Sequence, residues 1–434
     1  MTVDAPAPSR LRALAGGIAS NQLVLWSAFI LVHLVLGLIN LFDEHLPMGD
    51  VTLVYRFWVQ QAIVADFWVG IDSSWVYPIL ALVPMLLAYA FGPELYASTW
   101  LTIVLVLDVA AFGFLTSWGR APQRVAAAWW WVAFLAALGP IALARIDSIT
   151  VPLAIIGVLL LARRPRAAAL LLTIATWIKV WPAALIAAVV VASRRRGIMV
   201  AIGAVTSAVI VVIAVVFGSG SRVVSFITEQ TGRGLQVEAP ISTAWLWQAA
   251  LGTPDTFVYY DTDILTFQVQ GAGVDAAAAA MTPIMAVAAL AVVVLGLIAV
   301  RRRTPTAELL PVLALALVTV LIACNKVGSP QFAMWLSVPV ILGLVTNAAG
   351  RGISFRVPAV LVLVIAALTH AVYPYLYGLL LGLVPVMLIV LTARNLLLFV
   401  LLGWAVSELV RLVRAGDSEV DSSATDHDPD WLPA

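Results

Sequence analysis

Apolar runs of about membrane-span length follow one another along almost the whole chain, and many of the turns between them carry clustered arginines. A bilayer core about 30 Å thick is crossed by roughly 20 mostly apolar helical residues. Only helices and closed barrels satisfy their own backbone at that depth. The clearest runs are 23–42, 101–118, 198–217, 281–300, 309–323, 332–345, 358–372 and 379–391, with less regular ones at 76–91, 125–143, 148–162, 167–192 and 396–410. The pattern predicts an all-α, polytopic membrane protein of roughly 10–13 transmembrane helices. Composition agrees: only 11% of residues are charged, against about 25% in soluble domains, which excludes a water-soluble enzyme. The net charge of +1 gives no case for a nucleic-acid partner. The single cysteine, Cys324, excludes an internal disulfide and a cysteine zinc cluster.

Charge asymmetry sets the expected orientation. The chain holds 22 arginines and two lysines, and 18 of the arginines lie in short groups read as cytoplasmic, among them Arg120 and Arg124, Arg163 to Arg166, Arg194 to Arg196, Arg301 to Arg303, and Arg394. Six basic residues fall by alternation on the outside: Arg56, Arg145, Arg222, Arg233, Lys179 and Lys326. A bound anion is one reason for positive charge against the usual bias. Residues 1–21 read as a cytoplasmic segment before a retained first helix rather than as a cleaved signal. The membrane domain then covers 22–414, with outer loops at 43–75 and 218–275, and 415–434 reads as a disordered acidic tail. Parity leaves two questions: whether 76–91 crosses, and whether 396–414 is a span or an interfacial helix.

The chemistry-capable side chains collect on the outer side. Asp50 follows a flexible Gly49 and precedes a mixed apolar and aromatic stretch suited to an interfacial helix. It is either a general base within reach of an acceptor hydroxyl or simply a helix cap. Arg145 and Asp147, two apart, either neutralise each other or present Arg145 to a lipid phosphate. Lys179 precedes Pro182 inside a run of 26 residues bounded by two arginine clusters. That length suits two half-helices, with Lys179 at the tip of a broken hairpin. Lys326 lies in a polar turn before Ser329-Pro330, a helix start whose free amides could cradle an anion. The loop Thr231-Gly-Arg233-Gly-Leu-Gln236-Val-Glu238-Ala-Pro240 interleaves polar and apolar residues. The four histidines show no metal-ligand spacing.

These motifs, in order, carry a resemblance: an aspartate and Tyr55-Arg56 after the first span, Trp75-Val-Tyr77-Pro78, Arg145-x-Asp147, Lys179-x-x-Pro182, Arg233-Gly-Leu-Gln236-x-Glu238, and Asn325-Lys326-x-x-Ser329-Pro330-Gln331 with Trp335-Leu. Over about residues 22–410 the chain resembles the family 87 glycosyltransferases, polytopic GT-C enzymes typical of actinobacteria. The resemblance implies a GT-C bundle with outer-face loops and interfacial helices, and an active site facing outside the cell membrane. It implies a polyprenyl-phosphate sugar donor, most often mannose, a glycolipid or lipoglycan acceptor, and inversion at the anomeric carbon. Carried over by position, Asp50 is the base, with Asp43, Glu44 and Asp66 as fallbacks. Lys326, Lys179, Arg233 and Arg145 would bind the donor phosphate. Tyr55, Arg56, Gln236, Glu238, Asp147 and Gln331 would bind substrate. No cofactor and no metal is implied, since a monophosphate leaving group has no diphosphate to bridge. One departure stands out: relatives often place the tyrosine closer behind the aspartate than the five positions seen here.

Other classes compete. A pentosyltransferase, such as a polyprenyl-phosphate arabinofuranosyltransferase, would use the same chemistry. A lipid-linked sugar transporter would also be polytopic with broken helices, but such proteins usually carry internal repeats and midplane sites. None is visible here.

Overall fold

The computed structural model describes residues 21–415. The cytoplasmic segment and acidic tail expected at the two ends lie, apart from Asn21 and Ala415, outside the described residues. Helix α1 (Gln22–Phe42) is followed by a π-helical turn (Asp50–Tyr55), α2 (Arg56–Ala65), α3 (Leu82–Ala88), α4 (Tyr96–Thr116) and α5 (Val125–Leu138). Next come α6 (Asp147–Leu160), α7 (Pro165–Ile178), α8 (Ala183–Ala192) and α9 (Arg196–Val216). An insert then carries α10 (Ser225–Thr231), α11 (Thr243–Ala250) and a hairpin of β1 (Phe257–Asp261) and β2 (Thr266–Gln270). The bundle closes with α12 (Val274–Arg301), α13 (Thr306–Ala323), α14 (Ser337–Ala348), α15 (Arg356–Val372), α16 (Tyr377–Leu381) and α17 (Pro385–Ala415). Among the described residues eight helices are long and apolar enough to cross a membrane, and five shorter apolar ones accompany them. The chain is an all-α multi-pass membrane protein.

Burial sorts these helices. Helix α13 is apolar all round and is buried on nearly every face, which makes it the centre of the bundle, packed by α8, α12, α14 and α17. Little of α9 and α12 is buried, with Val205, Val212, Val287 and Leu290 facing outward as a lipid-directed surface.

Cross-contacts fix which ends lie together. Trp26 stacks on Trp118, and the Gln22 side chain sits against Gly119. At the other end Asn40 donates to the Pro140 carbonyl, and the Trp100 indole donates to that of Leu143. Helix α4 therefore runs antiparallel to α1, and Arg120 and Arg124 lie at the end where α1 begins. The apolar helical segment at Ile79–Ala88 is only ten residues long. At a rise of about 1.5 Å per residue it spans roughly half a bilayer core. It does not cross, which removes the parity conflict. Arg124 neighbours Arg163, and Arg195 donates to the Ala162 carbonyl, so these arginine-rich turns share one end.

Two expectations about the last segment need correction. The runs at 379–391 and 396–410 are not separate spans: α17 continues unbroken from Pro385 to Ala415, so 396–414 is no interfacial helix. Arg394 does not belong with the clustered cytoplasmic arginines. It lies three turns into α17 from the opposite end, where it bonds Glu238.

The insert is tied down by backbone pairing. β1 and β2 run antiparallel with Phe257 opposite Gln270 and Asp261 opposite Thr266. The Val237 amide donates to the Phe267 carbonyl and the Val269 amide to that of Leu235, so 235–237 lines the outer edge of β2. Leu235 and Val237 are buried with Val269, Val274, Val372 and Leu391, which is why a loop this apolar is ordered.

Candidate active site

Asp50 opens the π-helical turn, whose N-cap is Gly49. Its carboxylate does not cap the helix. It pairs with Arg145, Oδ2 to Nε 3.0 Å, and remains 41% exposed while the arginine side chain is 4% exposed. The arginine is held from several sides: Nη1 donates to the carbonyls of Pro47 and Ala144, and Nη2 donates to the Tyr373 hydroxyl at 2.9 Å. Most of its five N–H groups are thereby committed within the protein. Burial pulls the Arg145 pKa down, but Asp50, Tyr373 and Tyr55 more than offset it, and the pKa lies above the ordinary value.

The π-turn answers the spacing departure. In this geometry the backbone bonds from i to i+5, as the Arg56 amide does to Val51. Residues five apart therefore stack, and both Asp50 and Tyr55 act on Arg145. The Tyr55 ring is buried, with its hydroxyl 3.4 Å from those of Tyr77 and from the Ile146 amide nitrogen.

Arg145 and Asp147 do not neutralise each other. Asp147 is buried and faces Lys179, Oδ2 to Nζ 4.0 Å, while its Oδ1 accepts a 2.6 Å hydrogen bond from the Trp335 indole. Trp335 stacks against Trp181 with rings 8° from parallel. Lys179 sits where the sequence places it, in the break between α7 and α8, and its ammonium lies 4.4 Å from the centroid of the Tyr77 ring.

Tyr77 joins this group to the loop cations. Arg233 has Tyr77, Glu229 and Asp261 as its electrostatic neighbours, and its buried Nε has no hydrogen-bond partner among the described residues. Lys326 is buried next to Arg233. Burial and then the like charge of Arg233 push the Lys326 pKa down. Burial likewise lowers that of Arg233.

The two loops are bonded face to face. The Gln236 amide donates to the Lys326 carbonyl at 3.0 Å, and the Gln236 side-chain oxygen accepts from the Gly328 amide at 3.2 Å. Gly328 is required there, since a β-carbon would overlap the Ala239 amide. Pro330 starts the following helical turn as expected, and Gln331 accepts a 2.6 Å bond from the Ser329 hydroxyl.

Some expected site residues are placed otherwise. Arg56 neighbours Tyr96 rather than the Asp50 group. Glu238 has its carboxylate bonded to Arg394 at 2.6 Å, and burial, opposed by Arg394, raises its pKa. Of the fallback bases, Asp43 pairs with His45 and Asp66 accepts from the Trp68 indole. Sequence reasoning missed Tyr77, Tyr373 and Trp335 as site residues, although Tyr77 and Trp335 stand in motifs it singled out. Among the described residues no three His, Cys, Asp or Glu side chains are grouped to hold a metal.

Comparison with known proteins gives one match. The family model of glycosyltransferase family 87 matches residues 75–330, more than half of the chain, and takes in Tyr77, Arg145, Asp147, Lys179, Arg233 and Lys326. No curated protein and no solved structure matches significantly.

Proposed function

The chain belongs to glycosyltransferase family 87, and from that premise we propose that this membrane glycosyltransferase moves a hexose, mannose in the first instance, from a polyprenyl-phosphate donor to a glycolipid or lipoglycan acceptor. The reaction takes place at the outer face of the cell membrane. The supporting observation is one juxtaposition. A half-open carboxylate, Asp50, is fixed by buried Arg145 beside Tyr55 and Tyr77, and Tyr77 in turn neighbours Lys179 and Arg233. The group lies at the end of the bundle opposite the arginine-rich turns, as the bias of basic residues toward the cytoplasm requires of an outward site.

In this reading the acceptor hydroxyl attacks the anomeric carbon from the face opposite the phosphate. The new glycosidic C–O bond forms as the C–O bond to phosphate breaks, with inversion. Asp50 takes the hydroxyl proton, the work of a general base. The departing polyprenyl phosphate gains negative charge. Lys326, Arg233 and Lys179 are the cations suited to stabilise that charge in a site of low dielectric. Arg145, already committed to Asp50 and Tyr373, orients the base rather than binding phosphate. Asp147 keeps Lys179 in place from beneath, and Gln236 and Gln331 border the loop cations.

The test is transfer by the purified full chain in liposomes, with radiolabelled polyprenyl-phosphate mannose and a membrane-lipid acceptor pool. Product from wild type and its loss in Asp50→Asn, with donor binding retained, is the expected result. Transfer that survives in Asp50→Asn removes Asp50 as the base. Transfer only from a polyprenyl-phosphate pentose replaces the donor sugar.

A further inference from the structure

Two of the three proposed phosphate cations, Arg233 and Lys326, are carried by loops rather than by helices, and a charged group on a loop has to be held if it is to be useful. One buried arginine bonds the turn that lies between them. Arg394 projects from α17, a helix wholly beyond the family-matched segment. Its Nη1 donates to the Glu238 carboxylate and its Nη2 to the Glu238 main-chain carbonyl, both at 2.6 Å. The same guanidinium donates from Nε and Nη2 to the Asn395 side-chain oxygen, and Asn395 donates onward to the Thr243 hydroxyl at 2.8 Å. The 236–243 turn is thus bonded at Glu238 and at Thr243 from one helix. That turn is the surface on which the Lys326 loop rests, through Gln236 and through the close approach of Gly328 to the Glu238–Ala239 peptide.

We infer that Arg394 is a positioning residue for the transfer reaction: by clamping Glu238 it fixes the turn between Arg233 and the Lys326 loop, and so sets both cations where the donor phosphate binds. The inference rests on the donor reading above. It gives Glu238 a role distinct from sugar binding. Two guanidinium bonds to one residue, one to its carboxylate and one to its main-chain carbonyl, specify orientation as well as charge. Lysine, a point charge on a flexible stem, cannot reproduce it.

The experiment uses the full chain in nanodiscs and four variants: Arg394→Lys, Glu238→Gln, Lys326→Ala and the Arg394→Lys/Lys326→Ala pair. Asp108→Asn serves as a control that breaks a buried pair remote from the loops. Arg394→Lys should raise the donor KM by at least about tenfold, the order of effect expected of coupled contacts, with the acceptor KM unchanged. In the Lys326→Ala background the same substitution should add less than it does in wild type, because only the part of its effect that passes through Arg233 remains. Asp108→Asn should lower thermal stability and leave the donor KM alone.

A second readout does not depend on the donor. With Cys324→Ala as background, the Lys326→Cys variant should react faster with a water-soluble maleimide when Arg394→Lys is also present. An unchanged donor KM in a folded Arg394→Lys enzyme, full additivity with Lys326→Ala, or an unchanged labelling rate would each overturn the clamp. If Arg394→Lys does not fold, Glu238→Gln carries the same comparisons, because it keeps the main-chain contact and removes only the charge. If wild type does not use a polyprenyl-phosphate sugar, the donor reading fails, while the labelling rate still decides whether Arg394 holds the loop.

Discussion

Asp50 and Arg145 meet at 3.0 Å across a boundary, the carboxylate side chain 41% exposed and the guanidinium side chain 4% exposed. The arginine belongs to the interior and the aspartate to the surface, so the pair presents a base whose orientation is set from behind. General bases contribute about 10²–10⁴ to rate. Asp50→Asn should therefore lower kcat by about that factor and leave the donor KM within a few-fold, measured as initial transfer rates at varied donor. Loss of donor affinity with kcat intact would move Asp50 to a binding role.

Lys326 gives a pH dependence. Burial and Arg233 hold its pKa below the ordinary lysine value of 10.5. The ammonium is the form that would bind phosphate, so donor affinity should be full on the acidic side of that depressed pKa and decline as pH rises through it. Lys326→Arg, which keeps its charge throughout, should remove the alkaline decline. The measurement is donor KM against pH for both proteins, and a decline that persists in the arginine variant would assign it to another group.

Gly328 is a packing requirement next to the chemistry. A β-carbon overlaps the Ala239 backbone, and backbone does not step aside as a flexible side chain can. Gly328→Ala should cost about 1–3 kcal/mol, the range for overpacked sites, and should weaken transfer by parting the two loops. Thermal unfolding together with the transfer assay checks both. A variant of unchanged stability and activity would show that the loops separate freely.

Within the spanning helices His33 and Asp108 form a buried pair between α1 and α4, Nε2 to Oδ2 2.9 Å, with Nδ1 2.9 Å from the Phe29 carbonyl. Removing one member of such a pair typically costs about 3–5 kcal/mol, while replacing both by apolar residues is close to neutral. Asp108→Leu should thus lower the unfolding midpoint in detergent, and His33→Leu combined with Asp108→Leu should recover most of it. A double variant as unstable as the single one would show that the pair carries more than local compensation.

The sequence is most legible where hydrophobicity alone decides. The all-helical membrane class follows from run length, and the break at Lys179–Pro182 follows from a run too short for two full spans. Lys179, Lys326 and Asp50 stand out because charge is scarce in this chain. What stayed hidden depends on pairing across distance. Arg145 and Asp147 look like partners at two residues' separation, yet each pairs elsewhere, with Asp50 and Lys179. Arg394 reads as one more cytoplasmic arginine because α17 contains two apolar runs and hydropathy cannot show that they form one helix. Tyr77 and Trp335 are aromatic residues in a chain with 16 tryptophans and nine tyrosines, so composition gives no reason to single them out.

The π-helical turn carries Asp50 at its start and Tyr55 at its end, five positions apart. Shortening the 51–54 stretch by one residue should relax it to an ordinary α-turn, whose partners stand four apart, and return the tyrosine behind the aspartate without rotating α2. A chain one residue shorter there would then present the same pair of side chains to Arg145. Alignments that insist on a fixed interval there would misplace one of the two residues, whereas alignments anchored on the Arg145 partnership would not.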